Sequence, residues 1–105
     1  MSRYLVGVVT CGSPAEARRM AGLILRGKLA ACVNILGGVE SHFWWQGKLE
    51  RSKEVMLLIK TTHAKLGPLT KAIKSAHSYE TPEIVFVPIQ GGERNYLKWL
   101  SNSVQ

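Results

Sequence analysis

The 105-residue sequence predicts a single α+β domain in the order βαββαβ, closed by a short C-terminal helix. Three observations carry that expectation. Residues 4–11 form a β-rich, continuously apolar run; two stretches with apolar residues at helical spacing separate the strand-like runs; and Gln46-Gly47 stands between two strand patterns as a two-residue hairpin turn. No linker or repeat marks a second unit, so residues 1–105 read as one domain.

The first run, Tyr4-Leu-Val-Gly-Val-Val-Thr-Cys11, alternates nothing polar into its middle and is expected to be a central strand covered on both faces. Ser13-Pro14-Ala15-Glu16 then announces a helix. Ser13 is a capping residue, Pro14 supplies a preset first helical position, and Glu16 stands where a capping box closes. Ala17, Met20, Ala21 and Ile24 follow at i, i+3, i+4 and i+7, leaving Arg18, Arg19 and Arg26 for solvent until Gly27 ends the helix. A second strand is expected over Leu29–Ile35, interrupted by Gly37-Gly38, with the pattern resuming at Val39.

With Gln46-Gly47 as the loop, the hairpin register places Trp45 opposite Lys48, Trp44 opposite Leu49, His42 opposite Arg51 and Glu40 opposite Lys53. Phe43, Trp44 and Trp45 among so many charges fit neither a buried hairpin nor a solvated one. An arm that packs on another subunit accounts for them, because interfaces favour aromatic residues with a polar surround. Glu50 and Glu54 on the same arm are expected to form salt bridges with a partner chain. The second helix runs from about Leu66 to Ala76 with Leu66, Leu69, Ile73 and Ala76 on one face, and Pro68 in its first turn. A fourth strand, Ile84–Ile89, and a helix bearing Tyr96, Leu97, Trp99 and Leu100 complete the order, which is the split-βαβ, ferredoxin-like arrangement with both main helices on one sheet face.

Composition narrows the function. Fourteen Lys and Arg against seven acidic residues give a net charge of +7, yet the basic residues are dispersed and no nucleic-acid-binding motif accompanies them, so nucleic acid is not the expected partner. No apolar run approaches the roughly 18 residues of a membrane span, and the opening Met1-Ser2-Arg3 leads straight into a strand, which makes the cytoplasm the expected compartment. Cys11 and Cys32 match no metal-binding spacing and are read as thiols, Cys32 buried and inert, Cys11 the more reactive because it lies close to a helix start. Neither has an activating base beside it in sequence, so no catalytic residue and no enzymatic activity are expected. A small core with an aromatic arm also predicts an oligomer.

The segments Leu29-Ala-Ala-Cys-Val-Asn-Ile35, Trp45-Gln-Gly-Lys-Leu-Glu50, Glu54-Val55, Ile59-Lys-Thr61 and His77-Ser-Tyr-Glu-Thr-Pro-Glu-Ile84 together resemble the CutA family of divalent-cation tolerance proteins, in order and from about Tyr4 to Trp99. The resemblance implies a homotrimer of ferredoxin-like subunits joined by long hairpin arms, similar in architecture to the trimeric PII signalling proteins. It implies a role in metal-ion response, with copper bound weakly by Cys11 and His77. Glu50, Lys60, Tyr79 and Glu80 would line an intersubunit cleft for a cation or small polar ligand. Alternatives are a PII-like metabolite sensor and a structural adaptor for a partner protein, such as the anchoring of acetylcholinesterase with which animal members are connected. The chain departs from the family pattern at Ser78, where proline is usual, and at Ala76, where some members carry a second histidine. The first change is expected to loosen the loop and the second to weaken a metal site.

Overall fold

The computed structural model describes residues 3–105; Met1 and Ser2, part of the segment read as leading straight into strand one, lie outside them. Four strands form one antiparallel sheet in the order β2-β3-β1-β4: β1 is Tyr4–Cys11, β2 Cys32–Trp45, β3 Lys48–Thr62 and β4 Ile84–Pro88. Helices α1 (Pro14–Arg26) and α2 (Leu66–Ala76) connect them, a 3-10 turn at His63–Lys65 precedes α2, and α3 (Arg94–Ser103) follows β4. This is the ferredoxin-like arrangement expected from the pattern.

Alternation along the inner strands decides which face is covered. Val9 and Cys11 of β1 and Val55, Leu57 and Ile59 of β3 point to the side where Ala17, Met20 and Ile24 of α1 and Leu69 and Ile73 of α2 close the core. Each such aliphatic side chain contributes about 1.5–3 kcal/mol through burial, and truncating fully buried Ile24 to alanine would cost about 2–5 kcal/mol. The opposite face is not sealed within one subunit. Val6, Val8 and Leu58 are only half-buried there, and Val85 and Val87 are exposed. The continuous apolar run of β1 therefore marks a central strand whose second face remains open.

At the start of α1, the Glu16 amide donates to Ser13 Oγ at 3.1 Å and Pro14 occupies the first turn. A cap of this kind is worth about 1 kcal/mol. The Glu16 carboxylate, however, reaches one residue further back than a capping box requires and accepts from the Gly12 amide at 3.3 Å.

β2 and β3 run on beyond the end of β1 as a two-stranded arm, and the molecule is accordingly elongated, 44 × 26 × 24 Å. All four residue pairs expected across the hairpin are paired, from Trp45↔Lys48 to Glu40↔Lys53. Gln46 and Gly47 adopt φ of 51° and 79°, the left-handed pair that a tight turn between right-twisted strands demands. Three boundaries differ from the sequence expectation, one of them at β4, which ends at Pro88 and not at Ile89. Leu29–Ala31 precede the strand, since β2 begins at Cys32, and Gly37-Gly38 do not interrupt it: the register shifts between Leu36 and Val39 with Gly38 at φ 73°, so the pair forms a bulge within one continuous strand. Glycine there lets the strand bend without losing its ladder on either side.

Candidate functional site

Where β1 ends, the arm departs and α2 runs into the connection to β4, four elements bring polar side chains into one network. The centre is Glu16, a carboxylate on the first turn of α1 whose side chain is 8% exposed. It accepts from the Ser78 amide at 2.8 Å, from Ser78 Oγ at 3.0 Å and from the Gly12 amide, while His77 Nδ1 and Arg19 stand at 3.7 and 3.8 Å. Burial disfavours the charged form of Glu16, but the bonds from Ser78 and Gly12 outweigh it and hold the carboxyl below its ordinary value. Glu16 is thus an anion satisfied by donors from the turn just before its own helix and from the distant Ser78.

The His77 side chain is fully buried, and its bonds define its tautomer. Nε2–H donates to the Thr10 carbonyl at 2.8 Å, and Nδ1 accepts the Tyr79 amide at 3.0 Å. The Tyr79 ring leans against the imidazole with centroids 4.7 Å apart, and its hydroxyl donates to Glu54 at 2.8 Å. Burial, then the bond to Glu54, push the Tyr79 hydroxyl up to about 12. Glu54 thus has a hydrogen-bond partner within its own chain.

Cys11 is fully buried, and burial, followed by the negative charge of Glu16, pushes its thiol up to about 11. Cys32 at the start of edge strand β2 is only half-buried and donates to Asn34 Oδ1 at 3.9 Å. The expected order of burial of the two thiols is reversed. Proximity of Cys11 to a helix start was outweighed because its side chain points to the helix-covered face, whereas Cys32, opposite Lys60, lies on the open one.

The network joins Cys11, His77 and Tyr79 in one region but does not gather the other expected residues. Lys60 bonds Asn34 across β2 and β3, and Glu50 pairs opposite Phe43 out on the arm, ten residues from Lys60 along the same strand or roughly 33 Å at strand rise. Glu80 is exposed beyond the network. Both ring nitrogens of His77 are engaged and burial raises the Cys11 thiol, so copper binding there would have to displace the bonds of His77 to Thr10 and Tyr79 and ionise the thiol. Among the described residues, no three His, Cys, Asp or Glu side chains gather as a metal would require.

Sequence reasoning passed over Glu16 and Ser78 as site residues. Glu16 carried a visible signal, its place in the cap. Ser78 carried none: it was expected to loosen the loop, yet it ties the loop to α1 with two bonds, one from an amide that proline lacks.

Phe43, Trp44 and Trp45 are 39%, 73% and 42% exposed, and Leu49, opposite Trp44, is 65% exposed. No helix among the described residues is long and apolar enough to cross a membrane.

Comparison with known proteins agrees with this architecture along its whole length. Residues 5–103 match the family model described as CutA1 divalent ion tolerance protein. The chain is 45% identical over 101 residues to the chloroplastic protein CutA 1 of Oryza sativa subsp. japonica, an alignment covering 96% of this chain and 57% of the relative. It is 40% identical over 100 residues to the divalent-cation tolerance protein CutA of Pectobacterium atrosepticum, covering 93% and 91%. The chain thus spans little more than half the length of the plant relative and nearly all of the bacterial one. Among solved structures, the divalent cation tolerance protein of Thermus thermophilus superposes with a TM-score of 0.95 at 39% identity, covering 97% of this chain and 99% of that one. A family match over nearly every residue, on the same fold, means that this chain belongs to the CutA1 divalent ion tolerance family.

Proposed function

We propose that the protein serves tolerance of divalent cations and works as a homotrimer in which each arm lies on a neighbouring subunit. One observation carries the assembly: Trp44 and Leu49 form a cross-strand pair exposed by 73% and 65%, on an arm that its own subunit has no surface to cover. The exposed Val85 and Val87 on the open sheet face extend the same need. An apolar surface this broken by charge is met by a second copy of the chain, whose acidic and basic arm residues are already complementary across the hairpin. Sedimentation equilibrium at micromolar subunit concentration is expected to return three times the 11.6 kDa chain mass; a folded monomer or dimer overturns the assembly.

The cellular role is tested separately, by deleting the gene in its host and titrating copper, cobalt and zinc into the medium. Lower tolerated concentrations, restored by the intact gene, support the reading, and unchanged tolerance of all three removes it. Copper enters as a weak ligand of Cys11 and His77, because binding there must first break the bonds of His77 to Thr10 and Tyr79 and ionise a buried thiol. Copper titration should show weak binding that Cys11→Ser and His77→Ala abolish and His63→Ala leaves intact. Unchanged binding in the first two variants excludes the pair. The free thiols of Cys11 and Cys32 favour a reducing compartment, so cytoplasmic residence belongs to the same reading and is checked by cell fractionation.

A further inference from the structure

The helices that cover the core also carry most of the excess charge. Residues 14–28 and 66–76, which comprise α1, the turn after it and α2, hold six basic residues against one acid, while the rest of the chain holds eight against six. That one acid is Glu16, whose buried carboxylate is already satisfied by Gly12 and Ser78. Basic residues that are dispersed along the sequence are therefore segregated in space.

Helical spacing places them on one side. On α1, Arg18, Gly22 and Arg26 recur at i, i+4 and i+8, away from Ala17, Met20 and Ile24 in the core; on α2, Lys71 and Lys74 lie opposite Leu69 and Ile73. All six cations, Arg19 and Lys28 included, are exposed, and of the six only Arg19 has a carboxylate within ion-pairing distance among the described residues, Glu16 at 3.8 Å. Arg19 also reaches from α1 to the Ala76 carbonyl at the end of α2, at 3.3 Å, so the two helices present one continuous layer. The Arg26 guanidinium lies across Gly22, where a Cβ would come within 2.9 Å of Nη1, and this keeps the layer low in relief. A further observation is independent of charge. Leu25, at i+7 from Arg18 and so on the same side of α1, is 42% exposed on this cationic layer.

We propose that the outer face of α1 and α2 docks the protein on an anionic lipid bilayer, its cations facing acidic headgroups and Leu25 entering the boundary with the acyl chains. Two helices side by side, each roughly 16–20 Å long, form a flat layer that matches a flat surface, whereas a nucleic-acid duplex, being a rod, would meet it along a line. Cations without fixed carboxylate partners suit headgroups that have no fixed positions. An exposed leucine among them adds apolar burial to the electrostatic attraction, the combination that holds peripheral proteins at a charged membrane surface. The proposed subunit contacts use the arm and the opposite face of the sheet, so assembly leaves this layer outward.

The test is cosedimentation of the assembled protein with phosphatidylcholine vesicles, with and without phosphatidylserine, over a range of salt concentration. Binding is expected only where phosphatidylserine is present, and it should fall steeply as salt rises. The double variant Lys71→Gln, Lys74→Gln should weaken it by about thirtyfold, roughly fivefold per cation, whereas Arg94→Gln, Lys98→Gln, an equal loss of charge on α3, should leave it within about twofold of the parent. Leu25→Ala should weaken it severalfold without altering its salt dependence, because the lost contribution is apolar. Binding no stronger than to pure phosphatidylcholine, equal losses in the two double variants, or unaltered binding in Leu25→Ala overturns the proposal. Tighter binding to duplex DNA or to polyglutamate than to the vesicles overturns the choice of a lipid surface.

Discussion

Replacing Ser78 isolates how far the donors to Glu16 hold the fold together. Ser78→Ala removes the hydroxyl bond of 3.0 Å and keeps the amide bond of 2.8 Å, whereas Ser78→Pro removes both. Bonds to ionised groups contribute about 1.5–3 kcal/mol when buried, and the exposed outer side of Ser78 puts its hydroxyl near 1 kcal/mol, below that range. Proline returns about 0.4–1 kcal/mol by stiffening the unfolded chain, and His77 at φ −77°, ψ 141° already occupies the region that a following proline allows. The expected losses are thus about 1 kcal/mol for Ser78→Ala and about 2 kcal/mol for Ser78→Pro. Their pH dependence follows from the depressed carboxyl of Glu16: its contribution is present above the unfolded value of 4.5 and is lost as pH falls through the lower folded value. Guanidinium unfolding at fixed subunit concentration, at pH 7 and again near pH 3.5, should show deficits that shrink in acid. A Ser78→Ala protein within about 0.3 kcal/mol of the parent at pH 7, or a deficit of equal size at both pH values, would refute the reasoning.

Tyr79→Phe removes the donor to buried Glu54 and should cost about 1–3 kcal/mol at pH 7 in the same unfolding assay. Because the Tyr79 hydroxyl is raised from 10.0 to about 12, its contribution is complete below pH 10 and disappears as pH climbs through the folded value, so parent and variant should converge in strong base. Thiol labelling of the native protein at pH 8 should modify Cys32 before Cys11, whose reaction should track unfolding; a faster Cys11 contradicts its burial. Trp45→Ala should weaken assembly by a few kcal/mol, roughly the loss of one interface anchor, read from the concentration dependence of sedimentation. Gly47→Val, a β-branched residue forced to φ 79°, should lower stability by about 1–3 kcal/mol without altering the fold seen by circular dichroism.

Local chemistry made most of the fold legible. The cap at Ser13 located α1, the Gln46-Gly47 turn set a register that held through every residue pair deduced from it, and the continuous apolar run of residues 4–11 marked β1 as an inner strand. What the sequence hid has a common physical cause. The bonds from Ser78 to Glu16 and from Tyr79 to Glu54 link residues 62 and 25 positions apart, and no propensity or spacing within a window records such pairs. The thiols misled for a related reason: which face of β1 receives α1 and α2 decides the fate of Cys11, and that face is chosen by the packing of the whole sheet. The Gly37-Gly38 bulge carried an ambiguous signal, since glycine marks bulges and breaks alike, and only continuation of the ladder to β3 on both sides separates the two.

The position of the polar network gives it a second consequence. β1 stops at Cys11, opposite Val55, and from Glu54 outward the arm is only two strands wide. A two-stranded ribbon has little stability of its own, so the direction in which it leaves the body is set at its root. That root is where Glu54 accepts the Tyr79 hydroxyl, and Tyr79 is next in the chain to Ser78, which ties the same connection to α1 through Glu16. Helix, sheet and arm are therefore referenced to one buried cluster, with His77 fastening the connection to the end of β1 through the Thr10 carbonyl. A structural use of these residues explains why both imidazole nitrogens are committed, and it makes metal capture by His77 compete with the geometry that aims the arm. Any ligand that drew His77 away would loosen the same root on which the proposed assembly depends.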